Sequence, residues 1–283
     1  MTSNATQREK AASLLALHSG GRLLVLPNVW DPIGARILQA RGFPAVATAS
    51  AATSASLGFK DGERIQRATL IEAIARIARS VDVPVTADIE AGYGRTLSEL
   101  EETIRAVIDT GVVGINIEDG FEDGGALRPV DEQCARIAAV RACATRQGLH
   151  LVINARIDSF YASSAFASTD AAMEDAVSRA ASYTKAGADC IYPLGPADEE
   201  TVRVLRARIA GPINILGSPT AAPLSVLETI GVNRVSFGPF VQRALLRTFA
   251  DIADALMNRK DPSGIKGMMT RYEVDGYLLD GPE

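Results

Sequence analysis

Short apolar runs alternate along this chain with longer segments in which apolar residues recur every three to four positions. The first pattern predicts buried strands and the second predicts helices. Residues 5–19 predict a short amphipathic helix with Leu14, Leu15 and Leu17 on its apolar side. An apolar run at 23–26 stops at Pro27-Asn28. Asp31-Pro32 then supplies an N-cap with proline in the first turn of a helix that Gly42 closes. The next run, 45–49, opens into a stretch whose small residues predict a long loop over 50–58. A helix carrying Ile65, Leu70, Ile71, Ile74 and Ile77 follows. The alternation repeats with strands at 84–87, 112–117, 150–155, 190–194, 212–216 and 234–237. The helices between and after them fall at about 96–110, 131–147, 170–186, 197–210, 221–230 and 239–257.

Eight strands, each followed by a helix and with no linker rich in Pro, Ser or charge, predict one parallel α/β domain over residues 1–260. Eight units is the count of a closed (β/α)8 TIM barrel, whereas a doubly wound sheet usually has about five or six strands. The Gly-x-Gly-x-x-Gly dinucleotide fingerprint is missing after the first strand, which runs into Pro27-Asn28-Val29-Trp30. A tail over 261–283 lies beyond the eighth unit. Its Met268, Met269, Tyr272, Tyr277 and Leu278 predict a segment that packs on the barrel or on a neighbouring subunit.

Composition changes this picture little. The 283 residues suit one barrel, and 47% apolar content fills a core and argues against disorder. A net charge of −5 gives no general attraction to nucleic acid or to an anionic membrane. No apolar stretch approaches the roughly 20 residues of a membrane span. The start, Met1-Thr2-Ser3-Asn4-Ala5-Thr6, lacks the basic-then-apolar order of a secretory signal. Cys134, Cys143 and Cys190 are widely spaced, odd in number and without a Cys-x-x-Cys pair, which predicts reduced thiols in a cytoplasm.

In a barrel the site is built at the carboxyl ends of the strands. Ser50 and Asp61 follow the second strand, Asp88 and Glu90 the third, and Glu118 and Asp119 the fourth. Asn154 and Arg156 follow the fifth, Asn214 and Ser218 the seventh, and Ser236 and Gly238 the eighth. In the stretch Ala87-Asp88-Ile89-Glu90-Ala91-Gly92-Tyr93-Gly94, two acids at i and i+2 can face one side of a strand end. Paired carboxylates repel unless a cation sits between them, and oxygen ligands without histidine suit a hard ion such as Mg2+. The same stretch also fits a strand end followed by a polar turn. Asp119, Asp158 and Asp198 are explained by the preference of helix N-termini for acids. Arg156 fits either a structural partner for an acid or a grip on a carboxylate substrate. His18, in the first helix, and His150, at the entrance of a strand, are placed away from the mouth.

The chain resembles the isocitrate lyase/phosphoenolpyruvate mutase superfamily in its short form, from about Leu26 to Phe240. The resemblance is carried by Leu26-Pro27-Asn28-Val29-Trp30-Asp31, Gly58-Phe59-Lys60-Asp61, the Asp88–Gly94 stretch, Asn116-Ile117-Glu118-Asp119 and Asn154-Ala155-Arg156. It implies a barrel whose last helix is exchanged between subunits of a homo-oligomer, a dimer or more usually a tetramer. It implies Mg2+ (or Mn2+) held by Asp88, with Asp61, Glu90 and Glu118 contacting it mostly through water. A 2-oxo acid or its enolate would chelate the metal, with Arg156 on its carboxylate and the backbone at Ser50 and Ala51 on the oxyanion. Asn214 and Ser236 are further substrate-binding candidates, and Asp61 and Tyr93 join Arg156 as catalytic ones.

The loop after the fourth strand departs from the resemblance. Residues 120–129 have no Cys, His or Lys, where family lyases carry a Lys-Lys/Arg-Cys-Gly-His segment and phosphonate enzymes a Lys at the position of Gly120. Three glycines there suit a flexible lid. The leading expectation is an Mg2+-dependent carbon–carbon lyase or decarboxylase acting on a small 2-oxo or 2-hydroxy (di)carboxylate through an enolate. The alternatives are a phosphonopyruvate hydrolase or mutase that works on a P–C bond, and a protein that binds Mg2+ and a 2-oxo acid without turnover.

Overall fold

A computed structural model describes residues 4–120, 126–258 and 265–278. The centre of the expected lid, 121–125, lies outside the described residues, as do 259–264 and 279–283 around and within the expected tail. The elements run α1 (Asn4–Ser19), β1 (Leu24–Leu26), β2 (Asn28–Val29), α2 (Pro32–Ala40), β3 (Val46–Thr48), α3 (Ser50–Ser56) and α4 (Arg67–Arg79). Next come β4 (Val85–Asp88), α5 (Leu97–Asp109), β5 (Gly114–Glu118), α6 (Val130–Arg146), β6 (Val152–Ile157) and α7 (Thr169–Ala186). The rest are β7 (Cys190–Pro193), α8 (Glu199–Arg208), β8 (Asn214–Leu216), α9 (Leu224–Ile230), β9 (Arg234–Ser236), α10 (Phe240–Met257) and α11 (Arg271–Asp275).

Every strand ladder is parallel, as the alternation of strands and helices requires. One sheet has the order β2-β3-β4-β5-β6-β7 and the other β1-β9-β8. The expected first strand ends before Pro27, which has no N–H to give to a ladder, but a further short strand, β2, follows it. β1 pairs with β9 and β2 with β3. A single parallel bridge, Ile191 to Ile213, links the edge strand β7 to the residue before β8.

Local signals fix the helix ends. Asp31 accepts the Gly34 N–H at 2.8 Å with Pro32 in the first turn, and Gly42 follows α2 at φ +82°. Thr96 and Glu99 form a reciprocal capping box on α5, and Asp198 caps α8. The loop expected over 50–58 is instead the helix α3. Its Ser50, Ala52, Thr53 and Ser54 are buried, so packing decides where propensity is indifferent, and Gln242 of α10 donates to the Ala52 carbonyl at 2.7 Å.

Apolar side chains from strands and helices form one core, with Ile115, Ile117, Ile153 and Leu100 fully buried. Among the described residues no helix is long and apolar enough to cross a membrane. The exception to burial is α10, where only Gln242 is buried and Leu245, Leu246 and Phe249 are exposed. In the tail Met268, Met269, Tyr272 and Leu278 are likewise exposed in the single chain.

Candidate active site

Four consecutive strands, β3 to β6, deliver polar side chains to one end of the sheet. Asp88 closes β4, and its Oδ2 accepts both the backbone N–H and the hydroxyl of Ser50 at 2.9 Å. Ser50 opens α3, so a carboxylate sits where unsatisfied N–H groups and the helix dipole favour one. Ala51 follows in the same turn. Thr48 Oγ1 accepts the Asp88 N–H at 2.9 Å, which joins β3 to β4 beside the site.

After β4 the chain turns sharply. Glu90 and Tyr93 both have φ near +52°, and Gly92 has φ +104°. Such values are costly outside glycine and persist only where surrounding contacts enforce them. The enforcing contacts are present. Glu90, 2% exposed, accepts N–H bonds from Gly62 (2.8 Å) and Glu63 (2.5 Å) on one oxygen and the Tyr93 hydroxyl (2.6 Å) on the other. Glu63 in turn accepts the Tyr93 N–H at 2.7 Å. Arg136, buried on α6, donates to the carbonyls of Ala91 and Gly94. A Cβ at Gly92 would stand 2.5 Å from a Leu100 methyl, so the turn admits no side chain there.

Glu118 closes β5 and pairs with Arg156 of β6 at 2.5 Å, while Arg156 Nε–H donates to Asp158 at 2.6 Å. The β5–β6 register sets Glu118 directly beside Arg156. Asp61 stands on the rim, with its carboxyl bonded to Ser50 and close to Asp88. Asp61, Asp88, Glu90, Glu118 and Asp158 therefore share one region with Arg156.

Their electrostatics follow from crowding and poor hydration. Loss of water, then the Asp88 charge, pushes Asp61 above the ordinary carboxylate value. Burial raises Glu90 to about 7 despite its hydrogen bonds. Burial raises Glu118 as well, against the pull of Arg156. For Arg156 burial opposes the charge, but Glu118 and Asp158 more than offset it and keep the guanidinium protonated. Tyr93 is pushed far up by burial and by Glu90, so it serves as a neutral hydroxyl donor.

This donor set is all oxygen and rich in carboxyl groups, which fits a hard divalent cation. Among the described residues, however, no group of three or more His, Cys, Asp or Glu side chains is set to hold an ion directly. Glu90 shows why: both of its oxygens are already taken by protein donors. The fit is to a hydrated ion with few direct carboxylate contacts.

Other expected residues fall elsewhere. Asn214 opens β8 instead of following its carboxyl end, because the ladder starts there and not at the apolar Pro212. It donates to Ser236 Oγ at 3.0 Å, and both side chains are buried against each other. Asp119 and Asp158 are not helix-start acids. Asp119 is fully buried and accepts from Tyr183 and Arg179, whereas Asp198 does cap a helix. His150 pairs with Asp189 and His18 is buried against Leu14, so neither histidine enters the site.

The sequence reading missed Glu63, Arg136 and Arg179. A signal existed for the arginines. Each stands in the buried stripe of its helix, Arg136 beside Ile137 and Val140, Arg179 beside Ala176 and Ala180. A charge in that phase has a buried partner.

Residues 14–257 match the protein family described as Phosphoenolpyruvate phosphomutase. A Corynebacterium glutamicum protein named Probable 2-methylisocitrate lyase 2 is 32% identical over 246 residues, covering 82% of this chain and 75% of its own. Oxaloacetate decarboxylase of Paraburkholderia xenovorans is 29% identical over 224 residues, 76% of this chain and 70% of that one. A solved structure from Burkholderia cenocepacia J2315, described as a candidate phosphonomutase, superposes with a TM-score of 0.82 at 37% identity. It covers 88% of this chain and 98% of its own.

Proposed function

The chain belongs to the phosphoenolpyruvate phosphomutase family, and from that premise we propose that it is a carbon–carbon lyase or decarboxylase of small 2-oxo or 2-hydroxy carboxylates that depends on Mg2+ (or Mn2+). The observation that carries this reading is the protonated Arg156 set beside an oxygen-only acidic cluster. A planar guanidinium next to a cation site suits a substrate whose carboxylate reaches one and whose 2-oxygen reaches the other. Relatives named as a 2-methylisocitrate lyase and an oxaloacetate decarboxylase support the same bond class.

Each residue then has a task. Asp88, oriented by Ser50, would hold the ion, with Asp61, Glu90 and Glu118 reaching it through water. When bound, a divalent cation supplies positive charge against the negative charge that develops on the substrate's 2-oxygen. Arg156 binds the substrate carboxylate. Tyr93 fixes Glu90, and Asp61 joins Ser50 beside Asp88. Asn214 donates to Ser236, which closes β9.

We assign the scaffold as a closed (β/α)8 barrel. The Ile191–Ile213 bridge and the continuation of β1 into β2 across Pro27 support that closure. The exposed Leu245, Leu246 and Phe249 of α10 support a homo-oligomer in which this helical segment packs on another copy. Cys143 and Cys190 are buried free thiols, which suits a reducing cytoplasm.

P–C bond chemistry is the second reading, because the relative at 37% identity is described as a candidate phosphonomutase. Gly120 favours the first. A Cβ there would lie 2.6 Å from Asp158 Oδ2, so a side chain at the position where phosphonate enzymes of the resembled family keep a lysine would require the Asp158 carboxylate to shift. The test is turnover of a panel of 2-oxo and 2-hydroxy acids with Mg2+, repeated with EDTA and with Asp88→Ala. EDTA and the substitution should each abolish turnover. Undiminished turnover in Asp88→Ala would overturn the assignment.

A further inference from the structure

Behind Arg156 lies a buried chain of charge that the site chemistry leaves unused. Arg179 sits in the apolar stripe of α7 with its side chain 8% exposed. Its guanidinium donates to Asp119 Oδ2 (3.1 Å), to the Arg128 carbonyl (2.9 Å) and, through Nε, to Asp175 (2.7 Å). Tyr183, one turn on, donates to the same Asp119 oxygen at 2.7 Å. The other Asp119 oxygen accepts the Asp158 N–H at 2.9 Å, and the Asp158 carboxylate holds Arg156 Nε–H. Each link is a bond to a charged group in a region poor in water, where such bonds are short, strong and directional.

The arrangement answers a problem that Arg156 poses. Glu118 lies 2.5 Å from one of its terminal nitrogens and would take the guanidinium as a two-pronged partner if it were free to turn. Asp158 prevents this by holding Nε. Asp158 is itself fixed, its backbone N–H by Asp119 and its carboxylate by Arg156.

We infer that Arg179 and Tyr183 are positioning residues that act through Asp119 and Asp158 to fix the direction in which Arg156 presents its guanidinium, and hence the affinity for the substrate carboxylate. This rests on the reading that Arg156 binds that carboxylate.

Two measurements on the full chain separate the inference from the reading. The first is the Nε–H resonance of Arg156 in nitrogen-15 spectra without ligand, assigned by its loss in Arg156→Met. It should be sharp and slow to exchange in the wild type, and shifted or exchange-broadened in Arg179→Met and Tyr183→Phe. The second is calorimetric binding of pyruvate with Mg2+ present. Arg156→Met should weaken it by at least about tenfold, the loss of a charge-assisted contact. Arg179→Met should raise the pyruvate Kd by about tenfold and Tyr183→Phe by about threefold, with Mg2+ binding alone unchanged.

Unchanged pyruvate binding in Arg156→Met overturns the reading of that residue. An unmoved Arg156 resonance in Tyr183→Phe overturns the inference, even if that variant melts at a lower temperature. Should Arg179→Met fail to fold, Tyr183→Phe decides, since it deletes one hydroxyl and keeps the ring.

Discussion

Asn28 stands where the two sheets meet, and its replacement by alanine is the sharpest test of how they are joined. Its Nδ2–H donates to the Thr48 carbonyl at 2.7 Å, and its Oδ1 accepts the N–H groups of Phe237 (2.7 Å) and Gly238 (2.9 Å). One side chain thus ties β2 to β3 and to the end of β9. Asn28 is 3% exposed, so Asn28→Ala strands three backbone groups out of reach of bulk water. At about 1–3 kcal/mol per unsatisfied buried group, with some relaxation, the loss is about 3–6 kcal/mol. For a chain of this size each kcal/mol lowers the melting temperature by about 2 °C, so the expected drop is about 6–12 °C. Asn258→Ala is the control. It removes one exposed bond, from Nδ2 to the Asp254 carbonyl, and should cost less than about 0.5 kcal/mol. Differential scanning calorimetry at one fixed protein concentration measures both. If Asn28→Ala melts no lower than Asn258→Ala, the Asn28 bonds do not hold the sheets together.

Two further outcomes are expected. Burial, then the charge of Arg234, depresses His18 to about 4, so the unfolded chain binds a proton that the folded chain refuses between about pH 6.5 and pH 4. Stability from this residue is therefore present above about pH 6.5 and falls as pH drops, by about 3 kcal/mol in all. Imidazole NMR of the two histidines, with His18→Leu as reference, tests this, and titration of His18 near 6.5 would refute it. Gly92→Ala forces a Cβ onto Leu100 at φ +104° and should cost about 1–3 kcal/mol while disordering Glu90 and Tyr93. Chemical unfolding together with Mg2+ titration checks both effects, and wild-type behaviour in each would contradict the enforced turn.

The strand–helix rhythm was legible because each buried strand is a compact apolar run and the helices carry their own caps at Asp31, Thr96 and Asp198. The meeting of Asp88, Glu90, Glu118 and Arg156 was legible too, since strand ends in a parallel sheet share one side. What the residues could not disclose was set by distant partners. The stretch at 50–56 has weak preferences of its own and becomes helical only under the burial that α10 and Asp88 impose. Asp119 looked like a helix-start acid because its partners, Arg179 and Tyr183, lie 60 and 64 residues away. Asn214 was misplaced because the apolar run begins before the ladder does.

The chemistry proposed for the Asp88–Arg156 site is cleavage of a carbon–carbon bond. Carbon-13 NMR of labelled oxaloacetate and a labelled 2-hydroxy dicarboxylate, run beside phosphorus-31 NMR of phosphonopyruvate, tests it most directly in wild type and Arg156→Lys. Cleavage of a labelled carbon–carbon bond that requires Mg2+, falls at least about tenfold in Arg156→Lys and releases no phosphate from phosphonopyruvate is the predicted result. Phosphate release with intact carbon substrates would contradict it and give the site to P–C chemistry.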